Sequence, residues 1–156
     1  MTNLILHIPH SSDRIPMDKG YVVEKKILDQ EIIKLTDWYT DDLFLFKDSV
    51  SIKADFSRIF CDTERFSDDS QEEMAKYGMG VLYEKSDDGA VIREVTAELR
   101  ENILSNYYWP HHEQLNQAVN EQLKFNGKAL IVDCHSFPSR PLTRDLSQED
   151  NRPDFN

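Results

Sequence analysis

Two histidines each follow a short apolar run, and the two runs lie near opposite ends of the chain. His10 comes just after the run 4–8, and His135 comes just after the run 129–132. Both runs are typical of buried strands. Binding sites of open α/β sheets lie in the crevice outside the carboxyl ends of such strands. The sequence therefore predicts that His10 and His135 meet in one crevice and bind a metal ion, for which zinc is the usual choice.

The stretch between these two runs alternates between helix and strand patterns. Apolar residues at helical spacing predict helices over about 22–47 and 94–124, the second of which should kink or break at Pro110. Alternation of apolar and polar residues predicts a third strand over 49–56. Long helices between strands imply crossover connections. We therefore predict an α/β fold whose mixed, largely parallel sheet is flanked by helices.

Composition limits the class of protein and its partners. The 156 residues suffice for one domain, which we expect to span 1–156 and to end in a polar tail over 139–156. A net charge of −11 argues against a nucleic-acid partner, because binding phosphates needs a basic face. No apolar run approaches the ~20 residues of a membrane helix, and no secretory signal is apparent. We expect a cytoplasmic protein with a small-molecule partner and no membrane partner.

Six segments of the chain together resemble the N-formylglutamate amidohydrolase family. They follow the order of that family: IPHSSDRIP (8–16), LTDWYTDDLF (35–44), ADFSRIFCD (54–62), YYWPHHEQL (107–115), VDCHSFPSR (132–140) and RPDFN (152–156). The resemblance implies a zinc-dependent amide hydrolase with a phosphorylase/hydrolase-like fold related to the zinc carboxypeptidases and aspartoacylase. Members of this family continue beyond the point where this sequence stops, so we expect the fold to be truncated at its C-terminus.

The resemblance also suggests a third metal ligand. Asp37 falls in the segment LTDWYTDDLF, and a buried carboxylate beside Trp38 would need a charged or metal partner. Asp13 is the alternative, because residues 10–13 imitate the His-x-x-Glu pattern of the carboxypeptidases. We predict that Zn²⁺ is bound by His10, Asp37 and His135.

Two polar side chains on the strands themselves have supporting roles in this prediction. Asp133 precedes His135 by two positions, so both should lie on the same side of a strand, where the carboxylate would orient the imidazole. His7 alternates with its neighbours in the first strand and should point away from His10. We expect His7 to be structural.

Arginine and histidine side chains supply the predicted contacts with an anionic substrate. Arg58 follows the third strand at a position that resembles the arginine of a family Asn-Arg pair, although Ser57 replaces the asparagine. A guanidinium group suits a bidentate contact with a carboxylate, to which Arg140 would add, with Arg65 as a further candidate. His112 matches a family Tyr-x-x-Pro-Tyr-His-x-x-Leu pattern and is the predicted catalytic donor. Surface salt bridges and a helix-surface histidine are the alternative interpretations.

These assignments predict a metal-dependent hydrolase that cleaves the amide bond of an N-acyl amino acid such as N-formylglutamate. One alternative is a metallopeptidase-like hydrolase of another N-acyl or peptide substrate. A second alternative is a catalytically incomplete binding domain of the same fold, because no persuasive general base follows His135 in the sequence.

Overall fold

Three short parallel strands form the sheet that positions the two histidines. The central strand β1 (Leu4–Ile8) lies between β2 (Val50–Lys53) and β3 (Leu130–Asp133). The register places Leu6 of β1 opposite Ser51 on one side and Val132 on the other. The prediction of a parallel sheet flanked by helices is confirmed in this form, as a small open sheet in a mixed α/β structure.

The computed structural model describes residues 4–145, 147–149 and 151–152. Of the RPDFN segment, only Arg152 is among them. Within the described part of the chain, no helix combines the length and the apolar character that crossing a membrane requires.

The first predicted helix, over about 22–47, is shorter than predicted and is interrupted after Leu35. Helix α1 (Lys25–Leu35) ends where Thr36 turns back and donates its hydroxyl to the Ile32 carbonyl at 2.7 Å. The chain resumes as the single turn α2 (Thr40–Leu43). Between them, the backbone N–H of Asp37 donates to the His10 carbonyl at 3.0 Å. The break therefore fastens Asp37 to the loop that follows β1.

The second predicted helix is a continuous helical region with a wider turn in its middle. Helix α3 (Ala97–Ile103) passes through a π-helical segment (Leu104–Tyr108) into α4 (Trp109–Asn126). Pro110 is the second residue of α4, so the π-helical segment directly precedes the residue that lacks an N–H. The predicted kink or break at Pro110 thus falls where the π-helical segment passes into α4, and α4 packs against β1 and β2.

The long connection between β2 and α3 is largely irregular, yet it supplies much of the core. A 3-10 helix (Glu73–Tyr77) is its longest regular element. Phe60, Val81 and Ile92 are fully buried, and they pack in clusters against the helices. This connection therefore forms a packed wall of the molecule.

The segment after β3 lies against that wall. Leu142 packs on a core cluster. The backbone N–H groups of Thr143 and Arg144 each donate to the buried Asp87 carboxylate at 2.9 Å. This part of the predicted polar tail is therefore held to the body of the molecule.

Candidate metal centre

The two predicted histidines meet where β1 and β3 end. The rings of His10 and His135 lie 5.3 Å apart between their centroids. The ladder continues past β3 through a hydrogen bond of 2.8 Å from the Cys134 N–H to the His7 carbonyl. Because β1 and β3 are adjacent and parallel, their carboxyl ends bring both imidazoles to one edge of the sheet. The predicted crevice is therefore present.

Asp37 completes a group of three donors with these histidines. One donor atom from each of His10, Asp37 and His135 lies within 4.8 Å of the others. Asp37 Oδ2 is 2.8 Å from His135 Nδ1 and 3.7 Å from His10 Nδ1. Burial would raise the pKa of Asp37, but its contacts with both imidazoles and with Arg58 hold it below its ordinary value. Asp13, the alternative third ligand, is exposed and belongs to none of the donor groups found among the described residues.

A buried carboxylate fixes the orientation of His10. Asp62 accepts hydrogen bonds from His10 Nε2 at 2.9 Å, from Arg58 Nη2 at 3.0 Å and from the Tyr83 hydroxyl at 3.0 Å. Burial would raise its pKa, but its contacts with His10 and with the Arg58 guanidinium hold the pKa well below the ordinary value. An ionised carboxylate can only accept, so the His10 proton lies on Nε2. A neutral His10 then carries its lone pair on Nδ1.

The Nδ1 atom of His10 is buried and has no hydrogen-bond partner within the described ranges. An unpaired polar atom in the interior is unfavourable unless a ligand serves it. This atom lies on the side of the ring that faces Asp37 and Glu64. Two imidazoles and a carboxylate form a donor set that suits zinc. The residues present therefore fit a metal ion at this position.

Glu64 lies beside the same donors, and no sequence pattern pointed to this residue. Its Oε1 is 3.2 Å from His135 Nε2, and its Oε2 is 3.5 Å from His10 Nδ1. Burial would raise the pKa of Glu64, but the hydrogen bond with His135 lowers it. The pKa of His135 is in turn raised to about 10 by its hydrogen bonds with Asp37 and Glu64. Glu64 is thus an ionised carboxylate that remains partly open to solvent.

The predicted role of Asp133 is wrong. Its Oδ1 lies 2.6 Å from His7 Nδ1, because the two side chains face each other across β1 and β3. The other ring nitrogen of His7 is 2.9 Å from Nε2 of the buried His111. Asp133 therefore orients His7, and the carboxylates that contact His135 are Asp37 and Glu64.

The two arginines predicted to bind substrate occupy different surroundings. Arg58 donates to Asp62 through Nε and Nη2, and its Nη1 is 3.8 Å from Asp37. Arg140 is exposed and does not line the cavity that Arg58 shares with Arg65. The structure brings Arg58 to the site and leaves Arg140 outside it. Their roles in substrate binding stay predictions.

His112, the predicted catalytic residue, lies near the centre without contacting its metal donors. Its ring packs on Tyr108, with 4.3 Å between the centroids. It lines a cavity of about 310 Å³ together with Glu64. His112 is therefore placed where a substrate could reach it, and its catalytic role stays a prediction.

Comparisons with known proteins place this geometry in context. The sequence profile of the N-formylglutamate amidohydrolase family matches residues 2–156. Among solved structures, the chain is similar to an N-formylglutamate amidohydrolase from Ralstonia eutropha JMP134, with a TM-score of 0.77 and 24% sequence identity. The match covers 88% of this chain and 54% of that one, so this chain spans about half the length of that protein. A search of curated protein sequences finds no match. At this identity, the structural likeness shows a shared fold.

Proposed function

The chain belongs to the N-formylglutamate amidohydrolase family, and on that premise we propose that it carries out zinc-dependent hydrolysis of the amide bond of an N-formyl amino acid. The observation that carries this proposal is the buried, unpartnered Nδ1 of His10. Its neighbours are the side chains that a metal site needs, and Asp62 fixes its tautomer. The resemblance to the N-formylglutamate amidohydrolase family, which implies a relation to the zinc carboxypeptidases, supports the same interpretation.

His10, Asp37 and His135 are the residues that would hold the zinc ion. A zinc ion held there would supply Lewis acidity towards the scissile carbonyl group. Asp62 keeps the Nε2 proton of His10 in place, so that Nδ1 remains free to coordinate. Arg58 lies against both Asp62 and Asp37 and balances their negative charge. Both ring nitrogens of His135 are hydrogen-bonded, one to Asp37 and one to Glu64, so a zinc ion held there would replace one of these bonds.

Glu64 is the side chain best placed to move protons during hydrolysis. It is ionised, its side chain is 29% exposed, and it contacts both imidazoles of the donor set. We assign it as the general base that takes a proton from the attacking water and delivers it to the leaving amine. This assignment gives the chain a base that lies before His135 in the sequence.

The test is formate release from N-formylglutamate by metal-stripped protein and by protein reloaded with zinc. We expect hydrolysis only after reloading, loss of hydrolysis in His135→Ala, and normal hydrolysis in the matched control Asp13→Asn, whose side chain is exposed. Equal activity of stripped and reloaded protein would overturn the metal requirement. Zinc-loaded protein that hydrolyses no N-formyl amino acid would overturn the proposed reaction.

A further inference from the structure

Glu64 also belongs to a group of possible metal donors that is separate from the centre at His10. One donor atom from each of His7, Glu64 and Asp133 lies within 4.8 Å of the others. All three side chains line a cavity of about 310 Å³, which gives a cation a route to them. One imidazole and two carboxylates form a donor set that suits a divalent ion such as zinc. The group takes two new side chains, His7 and Asp133, from adjacent strands of the sheet.

The ring of His7 is held in the same way as the ring of His10. His7 is 4% exposed, and its Nε2 is 2.9 Å from Nε2 of the buried His111. Its Nδ1 is 2.6 Å from Asp133 Oδ1. In His10, likewise, Nε2 contacts the buried Asp62 while Nδ1 faces carboxylates. A buried partner on the far nitrogen orients a histidine for metal binding through the near one.

His111 allows His7 to release its Nδ1 atom to a metal ion. Burial and the nearby His7 lower the pKa of His111 to about 4, so this ring is neutral at pH near 7. A neutral imidazole can either donate or accept through Nε2. An ion on His7 Nδ1 would move the His7 proton to Nε2, which then donates to His111. The hydrogen bond between the two rings is kept, and only the bond between His7 and Asp133 is replaced by the ion.

The two carboxylates of this group are accessible to an ion. The Asp133 side chain is 56% exposed and the Glu64 side chain is 29% exposed, so both can turn towards a cation that enters the cavity. The side chains of His10 and Asp37, by contrast, are only 1% and 9% exposed. An ion at the more exposed group competes with water for its ligands. We therefore expect it to bind more weakly than the ion at His10 and to be lost on gel filtration.

We propose that a second zinc ion binds to His7, Glu64 and Asp133 at higher zinc concentrations and inhibits the hydrolase. This inference rests on the proposed function, in which Glu64 is the general base. A cation on the Glu64 carboxylate stabilises its ionised form, so the carboxylate takes up a proton less readily. Coordination would also draw Glu64 from its contact with His135. The first ion therefore activates the enzyme, and the second ion blocks its base.

The test is a calorimetric titration of the metal-stripped protein with Zn²⁺ alone. We expect two binding steps in the wild type, of which the second is weaker. Asp133→Asn keeps the shape of the side chain and an oxygen that accepts from His7, but it removes the carboxylate ligand. Loss of an indirect contact already costs metal affinity about 10- to 100-fold, so the second step should weaken by at least that much. Asp55→Asn, which alters an exposed aspartate paired with Arg14, is the matched control and should show both steps.

Formate release from N-formylglutamate is measured along the same titration. In the wild type and in Asp55→Asn, the rate should rise over the first equivalent of zinc and fall as the second step fills. Asp133→Asn should reach the same maximum and show no fall at the zinc concentration that inhibits the wild type. A single binding step in the wild type, or a second step of equal strength in Asp133→Asn, would overturn the second site. A second step that leaves formate release unchanged would overturn the inhibition.

The two readouts separate this inference from the proposed function. A second binding step that Asp133→Asn weakens, in a protein that hydrolyses nothing, would support the second site and contradict the reaction together with its inhibition. Zinc-dependent hydrolysis with a single binding step and no inhibition would support the reaction and contradict the second site.

Discussion

Nε2 of His10 lies 2.9 Å from a carboxylate oxygen of Asp62, and both side chains are buried. This contact determines which ring nitrogen of His10 carries the lone pair that could coordinate a metal ion. An ionised Asp62 holds the proton on Nε2, so the lone pair lies on Nδ1, which faces Asp37 and Glu64. Carboxylates that orient a metal-binding histidine in this way also raise its basicity. Asp62 is therefore a positioning residue of the proposed metal centre.

The first prediction concerns Asp62→Asn. An amide at this position can donate to His10 Nε2 and would no longer fix the proton there. We expect zinc affinity to fall by about 10- to 100-fold, measured by titration against a competing chelator. Asp55→Asn is the control, because Asp55 pairs with Arg14 on the surface. Wild-type affinity in Asp62→Asn would contradict the role of this carboxylate.

The second prediction concerns Glu64→Gln. The amide cannot take up a proton, so kcat for N-formylglutamate should fall by about 10²- to 10⁴-fold while zinc content stays the same. Both quantities can be measured on one preparation, with Glu73→Gln as a control on an exposed glutamate that pairs with Lys76. Loss of zinc together with activity would instead identify Glu64 as a metal ligand.

The third prediction concerns Asp87, which fastens the segment after β3. Its carboxylate accepts from the Thr143 and Arg144 backbone and lies 2.6 Å from Lys34 Nζ. Asp87→Asn breaks the ion pair and should lower the free energy of unfolding by about 1–3 kcal/mol. The control is Asp29→Asn, which removes an exposed pair with Lys25.

The effect of Asp87 should depend on pH. Burial would raise its pKa, but the contacts with Lys34 and the backbone lower it below the ordinary value of 3.8. A group whose folded pKa is depressed stabilises the fold above its unfolded pKa and loses that contribution as pH falls through the folded value. The difference between wild type and Asp87→Asn, measured by urea unfolding, should therefore shrink as the pH falls below about 4. A difference that stays constant over this range would contradict the assignment.

The sheet and its two histidines could be predicted because local patterns determine them. The apolar runs before His10 and His135 became adjacent parallel strands, and parallel strands end at one edge. The break in the first helix could not be predicted in this way. It depends on the hydrogen bond between the Asp37 N–H and the His10 carbonyl, two residues that meet only in the folded chain. Helical spacing continues through residues 36–39 and gives no sign of it.

The carboxylates around the proposed metal donors also divide into those that local sequence indicates and those that only the folded chain reveals. Asp37 was identified from a family segment, whereas Asp62 and Glu64 lie in an irregular connection with no periodic pattern. Their functions come from burial and from contacts with His10 and His135, which sequence spacing does not encode. Asp133 illustrates the opposite error. Its spacing from His135 suggested a partnership, but the strand register placed it opposite His7.

The most direct test of this account is the zinc content of the purified chain after reconstitution, measured by elemental analysis. The wild type and Asp13→Asn should each bind about one zinc per chain, because three protein donors define one site with an open position. His10→Ala and His135→Ala should bind none while remaining folded by circular dichroism. A wild-type chain that takes up no zinc, or variants that bind as much as the wild type, would contradict the metal centre.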